Sequence, residues 1–494
     1  MDHADYDLCV IGGGINGVGI ARDAAGRGLS VLLVEAADLG GATSSASTKL
    51  IHGGLRYLEY FEFDLVRHAL REREVLLRLA PHIIWPMDFV LPHTPEQRPA
   101  WMIRLGLFLY DHLARRRVLK GSKMLRLAGG VLKSEFDVAF QYSDCWADDA
   151  RLVVLNAMDA AEKGAEILTH TRCTGLREVD GAWRVSLDGR ADISARMVVN
   201  AAGPWVSEFL HEAGVVDHAA PIARLVKGSH IITKRLYEGD EAYILQQNDG
   251  RICFVIPYEG GYTLIGTTEE EYGGDPRDAR ISDVEIEYLI AAYNAAFAAP
   301  IERRDVLWSY SGVRPLFDDG KDATGSATGA SRDYKLHRHD GFAAPLMSVF
   351  GGKLTTYRVL AEDVMNRLLH LGNDYAAPWT ADAALPGGDI PEVDFDAFLM
   401  QQIAKYGWMH EGLVRRYARA YGTRMDVFLA GAASVKDLGQ YFGDDVYQAE
   451  IDYMLQYEFA RDAEDIFWRR SKLGLHVGEA VIAKVEDYLD AIGD

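Results

Sequence analysis

Three stretches of this 494-residue chain carry residues whose types and spacing can do chemistry. The first is Gly12-Gly13-Gly14-Ile15-Asn16-Gly17, which follows a short apolar run and precedes a helix-forming one, with Glu35 closing the next apolar run. This is the pattern of a dinucleotide-binding loop: Gly12 permits a tight turn, Gly14 lets a pyrophosphate approach the backbone, and Gly17 lets helix and strand pack closely. The helix start offers unpaired N–H groups and partial positive charge to phosphates. Glu35 can accept from both ribose hydroxyls of an adenosine and disfavours a 2′-phosphate, which argues against NADP and leaves NAD and FAD open. The second stretch is hydroxyl-rich (Thr43, Ser44, Ser45, Ser47, Thr48) and leads through Lys49 into His52-Gly53-Gly54-Leu55-Arg56-Tyr57. Hydroxyls and backbone N–H groups can hold a pyrophosphate or ribityl chain, and paired glycines let backbone approach a flat ring. The third is Gly351-Gly352-Lys353-Leu354-Thr355-Thr356. Arg56, Arg314 and Lys353 each lie in a glycine-containing motif, and arginine suits bidentate contacts to oxyanions.

Elements must position these groups. The opening reads as a βαβ unit: a strand from Tyr6 to Ile11, a helix from Val18 to Arg27 ended by Gly28, and a buried strand from Val31 to Val34. Val198 to Asn200 is a strand running into a small-residue turn with Gly203 and Trp205, as a second cofactor-facing loop would. Short runs at 229–233, 242–246, 251–257 and 262–267, broken by Gly and Pro, predict a largely antiparallel sheet. A helix is expected from Tyr357 to about Leu371, and the chain beyond Gly388 reads as helical to its end. From Arg98 to Arg126 eight basic residues face one acid, Asp111, interleaved with Trp101, Met102, Leu105, Phe108 and Tyr110. Two readings stay open there: a helix with one core face and one solvated face, or an interfacial helix lying on anionic lipid.

Composition narrows the class. Lys and Arg total 52 against 73 Asp and Glu, a net charge of −21, with 49% hydrophobic and 25% charged residues. The acid excess argues against a nucleic-acid partner, and any anion site needs a local cluster of cations. Cys9, Cys145, Cys173 and Cys253 are scattered with no CxxC pair, so neither a metal site nor a disulfide framework is expected, consistent with a cytoplasmic location. No secretory pattern opens the chain, and no apolar run is long enough to span a bilayer.

The ordered motifs IGGGINGVGIARDAAGRGLSVLLVE, TSSASTKLIHGGLRYLE, YSDCWADDARLV, NAAGPWV, KGSHI, YSGVRPL and VFGGKLTTYR resemble the aerobic, FAD-dependent glycerol-3-phosphate dehydrogenases over nearly the whole chain. The resemblance implies FAD as cofactor, oxidation of sn-glycerol 3-phosphate to dihydroxyacetone phosphate, and electrons passed to membrane quinone. It implies an α/β fold: a Rossmann-like FAD-binding domain of the D-amino-acid-oxidase type, an antiparallel-sheet substrate domain and a helical C-terminal domain. The expected division is 1–80, 140–215 and 332–385 for FAD, 81–139 and 216–331 for substrate, and 386–494 at the C-terminus. A homodimer, peripheral on the inner face of the cell membrane, is implied as well.

Oxidising a secondary alcohol means removing the O–H proton while hydride moves to the flavin. Arg56, Tyr57 and Arg314 are expected to bind substrate, with Arg314 near the reacting oxygen. Gly351 and Gly352 are expected to present N–H groups to the negative charge of the reduced ring. Leu354 goes with them, and Lys353 and Thr355 reach either that ring or the substrate oxygens. His230 and His52 are the candidate proton acceptors; His230 is favoured, and His52 is expected against the flavin. The nearest alternative is a glycerol-3-phosphate oxidase that reduces O2 to H2O2 on the same fold. A non-catalytic flavin- or NAD-binding protein is a further alternative.

Overall fold

A computed structural model of the chain describes residues 4–493 apart from 128, 216, 218, 219, 222, 248, 318–333 and 370–374. The polar stretch at 318–331 therefore lies outside the described residues.

The glycine loop follows an interior strand of an eight-stranded sheet. Six strands run in the order Tyr334–Arg338, Leu346–Gly351, Ile193–Asn200, Tyr6–Ile11, Val31–Val34, Glu166–Leu168, and the hairpin Cys173–Val179 and Ala182–Leu187 branches from Ile193–Asn200. From Leu346–Gly351 to Glu166–Leu168 the neighbours are parallel. The strands are near-continuous apolar runs because both faces are covered, and Val31–Val34 is buried at every position. Beneath the sheet, the Ile15–Gly26 helix packs on helices Asp149–Glu162 and Tyr357–Leu369. Gly19 makes that approach possible, since a Cβ there would lie 2.7 Å from the Tyr357 ring.

The second sheet has ten strands. Ala223–Lys234, Ala242–Gln246, Ile252–Tyr258 and Tyr262–Gly266 occupy the positions expected from the Gly- and Pro-broken runs, and Ala223–Lys234 pairs along its length with Val306–Phe317. Pairing is antiparallel except where Ala242–Gln246 meets Ile84–His93. Val138–Ala147 belongs wholly to this sheet, paired in register with Ile84–His93. The expected division at residue 140 cuts through that strand, and the pairing leads us to draw it after Ala147.

The C-terminal part is mostly helical, with one small hairpin of Tyr441–Gly443 and Val446–Tyr447. It is anchored to the cofactor half by buried ion pairs: Arg151 Nη2 to Glu458 Oε1 (2.8 Å) and Arg470 Nη2 to Asp38 Oδ1 (2.8 Å). Charges at such depth persist only when paired, so each partner commits the other to its place. His82 lies in the same junction, fully buried, its ring against the backbone of Gly387 and Gly422, and neither ring nitrogen has a hydrogen-bond partner among the described residues. Burial, with Arg151 and Arg419 nearby, holds its pKa down to about 3.

This histidine makes the junction acid-sensitive. The unfolded chain takes up the His82 proton near pH 6.5 and the folded chain only near 3, so stability falls as pH drops through that window, by about 1.4 kcal/mol per unit. His82→Gln removes this contribution. Wild-type stability relative to the variant is expected to fall by about 2 kcal/mol between pH 7 and pH 5 in urea unfolding.

Candidate flavin and substrate site

A cavity of about 920 Å³ runs between the two sheets, from Glu35 and the glycine loop to His230 and Arg314. At its deep end the Gly12 turn has φ +109°, and a Cβ there would lie 2.5 Å from the Ala201 carbonyl oxygen. A Cβ on Gly17 would lie 1.9 Å from the Gly12 carbonyl oxygen, so the helix meets the turn only because residue 17 has no side chain. No side chain of the N-cap residue, Gly14, caps the helix, and Ser44 Oγ accepts from the Ile15 N–H (3.0 Å). Glu35 accepts from the N–H groups of Gly13 (2.6 Å) and Ala37 (2.8 Å), while burial raises its pKa.

The hydroxyl-rich loop is tied to the protein around it. Thr43 Oγ1 donates to the Val313 carbonyl (2.6 Å), Ser45 Oγ to the Ala42 carbonyl (3.3 Å), and Ser47 Oγ to Asp149 Oδ2 (2.7 Å). These hydroxyls bind the loop to the second sheet, to itself and to the Asp149–Glu162 helix, and those of Thr43 and Ser47 keep lone pairs at the cavity wall. Lys49, buried with a left-handed φ of 59°, pairs with Asp149 (2.7 Å).

At the other end, His230 lies on the Ala223–Lys234 strand, 2% exposed, stacked on Tyr310 at 4.8 Å. Gly266 stands opposite it, and a Cβ there would sit 2.2 Å from the ring. His230 Nε2 bonds Thr48 Oγ1 (3.0 Å), and Nδ1 has no hydrogen-bond partner among the described residues. Burial, then the charges of Lys49 and Arg314, hold its pKa down to about 3, so the ring is neutral at pH 7. Arg314 Nη2 donates to Glu269 Oε1 (3.2 Å). Lys353 Nζ lies 4.2 Å from the Tyr57 ring centroid, and Arg56 Nη2 reaches the Tyr60 hydroxyl at 3.5 Å.

Of the residues singled out from sequence, Gly12, Gly14, Asn16, Glu35, Thr43, Ser44, Ser47, His52, Gly54, Arg56, Tyr57, Gly203, Trp205, His230, Arg314, Gly351, Gly352, Lys353, Leu354 and Thr355 all line this one cavity. Gly13, Gly17, Ser45 and Gly53 do not; they stand behind the wall and support it. Glu269, Gln246 and Arg251 also line it, and sequence reasoning singled out none of them.

The cavity fits FAD. Asn16 Oδ1 is buried with no hydrogen-bond partner among the described residues while Asn16 Nδ2 donates to the Gly351 carbonyl (3.2 Å), which leaves an acceptor at the helix start for a cofactor hydroxyl. Gly351 and Gly352 take φ of 74° and 94°, backbone open to glycine. The residues that would hold the cofactor are Glu35 at the ribose, the glycine loop and helix start at the pyrophosphate, and the Gly351–Gly352 backbone at the ring.

The fold and this cavity define a flavin-dependent oxidoreductase. Residues 7–358 match the family described as FAD dependent oxidoreductase (DAO), and residues 378–494 match the C-terminal domain of alpha-glycerophosphate oxidase. The chain therefore belongs to the DAO family of FAD-dependent oxidoreductases, and FAD is its cofactor. It is 50% identical to the D-erythritol 1-phosphate dehydrogenase of Brucella abortus over 493 residues, covering 98% of this chain and 97% of that protein. It is also 50% identical to the aerobic glycerol-3-phosphate dehydrogenase of Escherichia coli over 490 residues, with 98% and 97% covered. The solved FAD complex of the Bacillus halodurans glycerol-3-phosphate dehydrogenase superposes with a TM-score of 0.76 at 28% identity, covering 98% of this chain and 91% of that one.

Glu35→Ala is expected to weaken FAD affinity on the order of tenfold by removing the ribose acceptor. Equilibrium dialysis followed by flavin absorbance measures it, and unchanged affinity takes Glu35 out of cofactor binding.

Proposed function

We propose that the protein oxidises sn-glycerol 3-phosphate to dihydroxyacetone phosphate and delivers the electrons to membrane quinone. The observation that carries the reading is the meeting of Arg56, Arg314 and Lys353 with a buried neutral histidine in one cavity of a chain whose net charge is −21. A phosphate dianion finds its cations there and nowhere in the average field of the protein. The names of the relatives from E. coli and B. halodurans support the three-carbon substrate. The Brucella relative carries a four-carbon polyol phosphate in its name, the same grouping of secondary alcohol and phosphate ester.

FAD supplies the hydride acceptor. Arg56 and Lys353 hold the phosphate, and Tyr57, with Lys353 over its ring, backs the same wall. Arg314, steadied by Glu269, lies against the oxygen that becomes the ketone and stabilises negative charge on it as the proton leaves. His230 takes that proton. The bound dianion offsets the Arg314 charge that depresses the histidine, so the imidazole becomes a stronger base when substrate is present. Thr48 fixes the ring through Nε2.

Delivery to quinone accords with the outer surface. No helix among the described residues is long and apolar enough to cross a membrane. The Ala100–His112 helix turns Leu107 and Tyr110 inward and leaves Trp101 (65% exposed), Leu105 and Phe108 outside. Arg115, Arg117, Lys120, Lys123 and Arg126, all exposed, follow it along the chain. Exposed apolar side chains on a helix followed by a basic stretch suit the surface of anionic lipid, where the protein docks without spanning.

Arg314→Ala is expected to lower kcat/KM for sn-glycerol 3-phosphate by roughly 10²–10³-fold with FAD retained. Unchanged turnover removes it from the mechanism, and a wild-type preference for D-erythritol 1-phosphate would overturn the three-carbon assignment. Arg115→Glu with Arg117→Glu is expected to reduce co-sedimentation with vesicles of anionic phospholipid, and unchanged binding would sink the docking face.

A further inference from the structure

The outward-facing helix has an inner face that reaches the site. Tyr110, 2% exposed on the Ala100–His112 helix, accepts a hydrogen bond from the backbone N–H of Gly53 (2.8 Å). Its hydroxyl proton goes to Asp144, whose oxygens lie 2.9 and 2.7 Å away. Asp144 is held in turn by Arg73, and all three side chains are buried. The direction of this chain is set by charge. A carboxylate paired with a buried guanidinium can only accept, so the tyrosine must donate to it and present a lone pair to Gly53. Burial and the Asp144 charge keep the phenol protonated.

Gly53 has no room to do otherwise. A Cβ on it would lie 2.4 Å from Leu70 Cδ2 and 2.7 Å from the Tyr110 hydroxyl. The next residue, Gly54, turns left-handed (φ 72°) and starts the Leu55–Tyr60 turn that carries Arg56 and Tyr57 into the cavity. On its other side His52 exchanges bonds with Thr355: its N–H donates to Oγ1 (3.3 Å), and Oγ1 donates to its carbonyl (3.4 Å). The substrate-binding turn thus has two hinges, one tied to the Gly351–Thr355 side and one to Tyr110.

We infer that Tyr110 is a positioning residue for substrate binding: through the Gly53 N–H it fixes where the Gly54 turn begins, and so where Arg56 and Tyr57 stand. It touches neither substrate nor cofactor. The lipid-facing helix and the phosphate clamp are consequently one mechanical unit, with the Arg73–Asp144–Tyr110 chain as its interior.

The inference rests on the substrate assignment above, and the test separates the two. In the FAD-loaded, full-length Tyr110→Phe enzyme, which keeps the ring and its packing, KM for sn-glycerol 3-phosphate is expected to rise on the order of tenfold. FAD content, vesicle co-sedimentation and kcat are expected to stay within about threefold of wild type. A merely structural loss would lower active fraction and kcat without moving KM, and an unchanged KM overturns the inference. Failure of the substrate reading looks different, because the wild-type enzyme itself then shows no turnover. Hydrogen exchange on the wild-type holoenzyme needs no variant: the Gly53 amide is expected to exchange as slowly as amides inside the second sheet, and rapid exchange overturns the proposal.

Discussion

The buried Lys49–Asp149 ion pair is the interaction on which the site depends. Asp149 opens a helix of the cofactor half; Lys49 lies at the end of the loop that crosses to the second sheet. Asp149 also receives the Ser47 N–H and hydroxyl, and Lys49 Nζ donates to the Ser45 carbonyl (3.0 Å). The ammonium lies 5.1 Å from the centroid of the Tyr310 ring; that tyrosine donates to the Ser47 carbonyl and stacks on His230. One charge pair therefore ties the loop to the cofactor half, and its lysine adds to the burial that depresses the basicity of the histidine. A buried pair adds little net stability against an apolar substitute, but removing one partner leaves the other charge stranded. Its contribution is to geometry.

A second constraint is charge. An acidic protein that handles a phosphate ester must gather cations without letting them collapse onto its surplus carboxylates. It does so unevenly. Arg314 is held by Glu269, Lys353 lies over a tyrosine ring, and Arg56 reaches a phenol. A ring or a phenol oxygen steadies a cation without neutralising it, and among the described residues neither Lys353 nor Arg56 is paired with a carboxylate. The glycines flanking these residues serve the same end by bringing backbone close to flat or charged groups that side chains would obstruct.

Much of this was legible in the sequence because it rests on sterics that only glycine satisfies. Gly12 and Gly17 leave no room for a Cβ against other backbone, and the apolar runs 8–11 and Val31–Val34 are buried on both faces, so motif and strand declare themselves together. The hydroxyl loop shows its residue types but not their partners: the Thr43 and Ser47 protons go to Val313 and Asp149, 270 and 102 residues away. Glu269 and the Tyr110–Gly53 bond were invisible for the same reason, since long-range partners leave no periodicity. The strand Val138–Ala147 was split at residue 140 because its pairing with Ile84–His93, not its composition, decides which sheet it joins.

The central claim is that one cavity holds FAD and sn-glycerol 3-phosphate together, so that the substrate reduces the flavin directly. Anaerobic titration of the purified holoenzyme with sn-glycerol 3-phosphate, followed in the visible spectrum, tests it most directly. The oxidised flavin bands are expected to bleach on substrate addition and to return when quinone is supplied. Flavin bands that persist through saturating substrate would contradict it.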